Sequence, residues 1–195
     1  MRHFILVLAS AAAIGSCSDP VHDGRIRALG EEAAGVPIGE LHRAGQACVI
    51  CHTKDGPASN KPFSVAGTVF AQPGPAVGID KVTVAFTDSA GSQYKTTTNC
   101  VGNFFVRPTE WDPAFPILVR IYKGDRSKTM QGQVGRERSC GFCHHDPTDA
   151  PRQYAGTVLD PQFSSVGHIY LFSAADPAPA PNTSCPVNPT VGAKK

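Results

Sequence analysis

The chain has 195 residues, with 18 basic and 16 acidic side chains and a formal net charge of +2 at pH 7. That length suits one domain of ordinary size, or a small one with a smaller partner; near-neutral charge without a basic run gives no footing to nucleic-acid binding. Only 17% of residues are charged, and 19 Gly and 17 Pro favour strands, turns and loops over long helices.

Residues 1–16 read as an export signal. Arg2 and His3 form a polar start, and Phe4–Ile14 is an apolar stretch too short to span a bilayer as a stable anchor. The stretch ends in Ile14-Gly15-Ser16-Cys17, which looks like a bacterial lipoprotein box, with cleavage before Cys17 freeing its thiol for a lipid. Acyl chains there would hold the protein on a membrane, each buried methylene contributing ~0.8 kcal/mol. The alternative is an ordinary cleaved signal with a stray cysteine. Ser18 follows; resemblance to lipoprotein sorting rules implies the outer membrane or cell surface rather than inner-membrane retention. Residues 17–36 are polar and read as a lipid-anchored tether, part helical around Arg25–Ala34. Residues 37–62 form a first attachment segment, with a short helix expected from about Ile38 to His52, opening after Pro37.

Residues 63–122 change to alternation. Val65, Gly67 and Val69 oppose Ala66, Thr68 and Phe70; Val82, Val84 and Phe86 alternate with Thr83, Ala85 and Thr87; Ile117, Val119 and Ile121 alternate with Leu118, Arg120 and Tyr122. Further strands are expected at Ser92–Thr98 and Asn103–Arg107, with turn signals at Gln72–Gly78, Asp88–Gly91, Asn99–Gly102 and Pro108–Pro116. The expected fold class is mostly β with short helices: a small antiparallel β-sandwich inserted between two attachment segments. Residues 123–172 form the second segment, with a polar stretch holding Met130 and apolar runs at Tyr154–Leu159 and Val166–Phe172. Residues 173–195 are a Pro-rich, extended tail.

Three pieces of the β region, SVAGTVF at Ser64–Phe70, KVTVAFTDSAG at Lys81–Gly91 and GNFFV at Gly102–Val106, resemble the carboxypeptidase regulatory-like, or prealbumin-like, β-sandwich over about sixty residues. That resemblance implies a scaffold or binding surface without catalytic residues. The family often carries Asn-Gly-x-Phe at its last turn; here Cys100 intrudes, in Asn99-Cys100-Val101-Gly102-Asn103-Phe104.

The chemistry lies in a pattern that occurs twice: Cys48-Val49-Ile50-Cys51-His52 and Cys140-Gly141-Phe142-Cys143-His144. Cys-x-x-Cys-His is the signature of covalent haem attachment. Thiols at i and i+3 share one face of a helical turn, where each can add to one vinyl group of a single porphyrin, and the following histidine supplies an axial imidazole. Cys48, Cys51 and His52 are therefore assigned to one haem c, and Cys140, Cys143 and His144 to a second. A zinc site could use two Cys-x-x-Cys pairs, a thioredoxin-like pair would need a βαβ context, and disulfides within the pairs are geometrically poor. Of the seven cysteines, Cys17 is assigned to lipid and four to haem. Cys100 and Cys185 remain, and a disulfide between them is expected from that arithmetic. Export agrees with this partition, because outside the cytoplasm cysteines are oxidised, metal-bound or modified.

Each iron has a sixth position, for which His and Met are the usual donors. The candidates are His145, His168 and His42, with Met130 as a further donor; His22, in the tether, is expected to be solvated. His145 cannot share an iron with His144, because adjacent helical residues point about 100° apart. The chain as a whole resembles a dihaem c-type cytochrome of the multihaem kind, in which Cys-x-x-Cys-His-His often sends its second histidine to a neighbouring haem. That resemblance implies an electron carrier rather than an enzyme, cycling Fe(III)/Fe(II) at the bacterial envelope or surface. Its partners would be other redox or haem proteins of the envelope, the membrane through its lipid, and further copies of itself in longer assemblies, with no nucleic acid. The alternatives are a dihaem peroxidase-like enzyme and a surface assembly protein whose haems are structural.

Overall fold

In a computed structural model, residues 19–146, 152–154, 157–159, 165–177 and 179–187 are described. The export signal, Cys17 and the last eight residues lie outside them. The described chain is mostly β with short helices, in the order α1 (Pro20–Ala28), α2 (Cys48–Cys51), β1 (Val65–Phe70), β2 (Thr83–Thr87), β3 (Gln93–Thr97), β4 (Asn103–Val106), β5 (Leu118–Lys123), β6 (Arg126–Thr129), α3 (Cys140–Cys143), β7 (Arg152–Tyr154), β8 (Thr157–Leu159) and β9 (Ile169–Tyr170). No helix among the described residues is long and apolar enough to cross a membrane.

The alternating stretches become the strands of a small sandwich. One sheet has the order β4-β1-β9 and the other β3-β2-β5-β6, with β7 and β8 forming a separate hairpin. Period-2 alternation sends Val84 and Phe86 of β2 inward and leaves Thr83, Ala85 and Thr87 half-buried. Val65, Val69, Val84, Phe86, Phe104, Val106, Ile117 and Ile121 meet in one core. Trp111 closes one end, stacked on Phe86 and Tyr94 with centroids 5.4 and 5.8 Å away, its indole N–H donating to the Ser92 hydroxyl at 3.1 Å.

β1 departs from the half-buried pattern: all six of its residues are buried. Its inner face packs into the sandwich, and its outer face and free edge are covered by the segments that carry the two Cys-x-x-Cys-His turns and by β9. β4 pairs antiparallel along one edge. The other edge is shared: Ser139 bridges Ala66 in parallel, and β9 pairs in parallel with Val69 and Phe70. The sheet therefore gains a parallel strand from residues beyond the second motif. β6, beyond residue 122, extends the second sheet as an exposed edge.

The expected disulfide is present: Cys100 and Cys185 are bonded, with Cα atoms 5.5 Å apart. It ties the β3–β4 turn to the chain's end, over a small cluster formed by Ala44, Val101, Val187, Val36 and Leu41.

Two helix expectations need correction. Around Arg25–Ala34, the helix instead spans Pro20–Ala28: Asp19 caps it through Val21 and His22 N–H, and Pro20 takes the first turn. The helix expected from Ile38 to His52 shrinks to Cys48–Cys51. Between Val36 and Ala47 the backbone turns through left-handed conformations at Arg43 (φ 50°) and Gly45 (φ 80°), which a continuous helix cannot hold.

Candidate functional site

The two Cys-x-x-Cys-His sequences fold alike. Each is a single helical turn closed by the histidine backbone: His52 N–H donates to the Cys48 carbonyl at 3.1 Å, and His144 N–H to the Cys140 carbonyl at 2.8 Å. Each imidazole is then held through Nδ1 by a backbone carbonyl further along the chain, His52 by Lys61 at 2.7 Å and His144 by Gly167 at 2.9 Å. An N–H at Nδ1 donating to a carbonyl selects the tautomer whose Nε2 carries a free lone pair.

The turns come from sequence positions ninety-odd residues apart yet pack directly on each other. Val49 N–H meets the Ser139 hydroxyl at 3.3 Å. A Cβ on Gly141 would stand 2.4 Å from the Gln46 carbonyl oxygen, so the backbones approach as only glycine permits. Ala47 and Ser139, 0% and 1% exposed, are sealed in this contact. Burial pushes the Cys140 thiol up to about 12, with the nearby Cys48 adding to the shift, and burial likewise pushes Cys48 up to about 11. Both thiols are protonated at neutral pH, unlike the low-pKa thiols of redox-active pairs.

The first site is closed over by side chains. His52 stacks on Phe63 with centroids 4.1 Å apart, and Phe63 stacks on Phe105 at 4.8 Å. On another side stands His42, its ring 5.9 Å from that of His52 and steeply inclined at 72°. The Glu32 carboxylate lies 3.6 Å from His42 Nδ1 and 3.1 Å from Arg43 Nε. Burial lowers the His42 pKa, with Glu32 opposing the shift. The loop carrying His42 is bolted to the sandwich by a polar network. Asn103 Nδ2 donates to the His42 carbonyl at 2.9 Å, Thr68 Oγ1 donates to Asn103 Oδ1 at 2.8 Å, and Gly45 N–H donates to Thr68 Oγ1 at 2.8 Å. Asn99 adds a bond to the Glu40 carbonyl at 2.8 Å.

The second site adjoins a cavity of about 380 Å³ that enters the sandwich between its sheets. Val84, Phe104, Val119 and Ile121 form its apolar depth, with Cys140, Cys143 and His144 at one wall. Met130 and His168 also line it. His168 packs against Phe70 at a tilt of 31°, with centroids 4.4 Å apart.

The structure thus brings His42 to the first site, and His168 and Met130 to the second. His145 does not line the cavity. It is 4% exposed, its Nδ1 bonded to the Phe142 carbonyl at 3.1 Å and its own carbonyl accepting from Ser165. His22 is not solvated as expected: its Nε2 donates to the Ile50 carbonyl at 2.7 Å, because α1 lies over both turns. Leu29, Ala47 and Ile50 form a cluster there with Ile26 and Phe142, and Arg25 sits over the Phe142 ring at 5.1 Å. Sequence reasoning passed over Phe63, Glu32, Ser139 and Gly141. Of these, only Gly141 carried a local signal, a glycine where a helical turn has no need of one.

Among the described residues no three His, Cys, Asp or Glu side chains converge as a protein-held metal ion would require. No family model matches this chain, and no curated protein or solved structure shows significant similarity to it.

Proposed function

We propose that this chain is a dihaem c-type cytochrome, a lipid-anchored electron carrier of the bacterial envelope with an inserted prealbumin-like sandwich. The observation that carries the reading is the repeated turn: in both copies two thiols and an imidazole share one helical turn, and the imidazole is oriented through Nδ1 by a distant carbonyl. The residues present fit covalently attached haem. Orientation of an axial histidine by a hydrogen bond at its other nitrogen is what a metal-bound imidazole needs, and the apolar cavity beside Cys140, Cys143 and His144 offers cover for a flat hydrophobic group. A zinc site built from both thiol pairs gains no such support.

Bound haem supplies reversible one-electron Fe(III)/Fe(II) chemistry. The chain's own contribution is placement. Cys48 and Cys51 would tether one group and Cys140 and Cys143 the other, while His52 and His144 would present Nε2 to each iron. The contact of Gln46 with Gly141 would hold the two groups as neighbours, as an electron relay requires. Val84, Val119 and Ile121 would keep water from the second, and Phe63 would cover the imidazole of the first. The sandwich would act as frame and spacer. No proton or substrate group needs to move.

The test is a pyridine haemochrome assay on purified protein with the chain concentration measured independently. Two c-type haems per chain are expected; fewer than two overturns the reading. The same sample separates the enzymatic alternative, since a peroxide-reactive high-spin iron would mark a peroxidase-like site. Haems that never exchange electrons with envelope proteins would mark a structural role.

A further inference from the structure

We propose that His42 is the second axial ligand of the iron held by His52, so that the first site is a histidine–histidine pair built before any group enters it. The inference rests on the haem reading above and concerns this chain's own residues. Three observations carry it. The first is spacing: two imidazoles bound end-on to one metal through bonds of about 2 Å stand about 6 Å apart, centre to centre, and the His42 and His52 rings are 5.9 Å apart. The second is orientation. His52 commits Nδ1 to the Lys61 carbonyl, which leaves its Nε2 for a metal, while His42 Nδ1 makes no hydrogen bond and has the Glu32 carboxylate nearby at 3.6 Å. The third is investment in position. The backbone turns left-handed at Arg43 immediately after His42. The buried Thr68 and Asn103 side chains, 5% and 6% exposed, spend their hydrogen bonds on this loop, one on the His42 carbonyl itself. A histidine serving only as loop surface would need none of that. His145, whose doubled position suggests a ligand from the sequence, has Nδ1 on its own turn's Phe142 carbonyl.

The experiment uses the full-length holoprotein, with haem counted per chain and the spin state read by absorption and electron paramagnetic resonance. His42→Gly should keep two haems and convert one of them to high spin, and added imidazole should return it to low spin. His42→Met should keep both haems six-coordinate, with the potential of one raised, because Met ligation raises the potential relative to His. If His42→Gly loses a haem instead of opening it, the Met variant decides: a single shifted potential supports the inference, and an unshifted pair overturns it. Two unchanged low-spin haems in His42→Gly overturn it, as does a high-spin iron produced by His145→Ala and not by His42→Gly. A parent protein without two haems would instead sink the haem reading, a result distinct from all of these.

Discussion

The two attachment turns share backbone, hydrogen bonding and mutual contact, and they differ in what stands opposite the histidine. His52 faces a built wall: Phe63 stacked on one side, and on another His42, whose backbone carbonyl is held by the buried Asn103 amide. His144 faces space, an apolar cavity between the sheets with Met130 and His168 along its lining. One five-residue pattern thus yields a closed site and an open one. The difference lies in which distant segment the fold delivers to each, and for a bound redox group that choice of ligand and cover tunes potential and exposure.

The comparison can be broken most severely at the disulfide. Cys100 and Cys185 pack with Ala44 and Leu41, on the loop that carries His42. Replacing both with serine should lower unfolding free energy by about 2–5 kcal/mol, the usual cost of losing a long-range bridge. The first site should loosen more than the second, read as denaturant midpoint and, if the proposed haems are bound, as the spin state of each. Next is the seam between the turns. Gly141→Ala drives a methyl into the Gln46 carbonyl, and overpacking of this kind should cost about 1–3 kcal/mol. Thermal denaturation would show the loss and, if the proposed haems are bound, a change in electronic coupling between them would show that both sites moved.

A change of similar size should fall on one site alone. Asn103→Ala leaves the Thr68 hydroxyl and the His42 carbonyl without their partner, at a cost of about 1–3 kcal/mol for buried groups left unsatisfied. If the proposed haems are bound, it should introduce high-spin character at the first site and leave the second unaltered; equal disturbance of both would show that the two sites are not independent. The smallest effect sharpens the contrast among thiols. In protein produced without haem, Cys143 is exposed, whereas burial pushes Cys48 up to about 11 and Cys140 up to about 12. At pH 8 the Cys48 and Cys140 thiols are ionised to about one part in a thousand or less, so alkylation followed by mass spectrometry should modify Cys143 first and these two last.

Much of this was open to reading in the chain. The strands at Val65–Phe70, Thr83–Thr87 and Leu118–Lys123 follow from period-2 alternation, because successive strand side chains must face opposite sides. The Cys100–Cys185 bond matches the two cysteines left once Cys17 was assigned to lipid and four thiols to the repeated motif. The Ile38–His52 helix failed because left-handed conformations at Arg43 and Gly45 are set by what that loop docks against, which no local pattern records. The placement of α1 was hidden for a related reason: the Pro20–Ala28 segment is mostly polar, and the residues it covers, Ile50 and Phe142, come from two different motifs.

The sequence by itself determined the local chemistry: two thiols and a histidine per helical turn, twice, and a sandwich between them, since spacing within a turn and alternation within a strand are properties of neighbouring residues. Only the tertiary structure decided which histidine meets which turn. β1 offers a single free edge, the second attachment segment occupies one half of it and β9 the other, and the loop bearing His42 is hydrogen-bonded to the strand pair beneath. Those positions are settled by competition for one strand's edge and by burial of polar groups that must find partners, and neither is written in the order of residues along the chain.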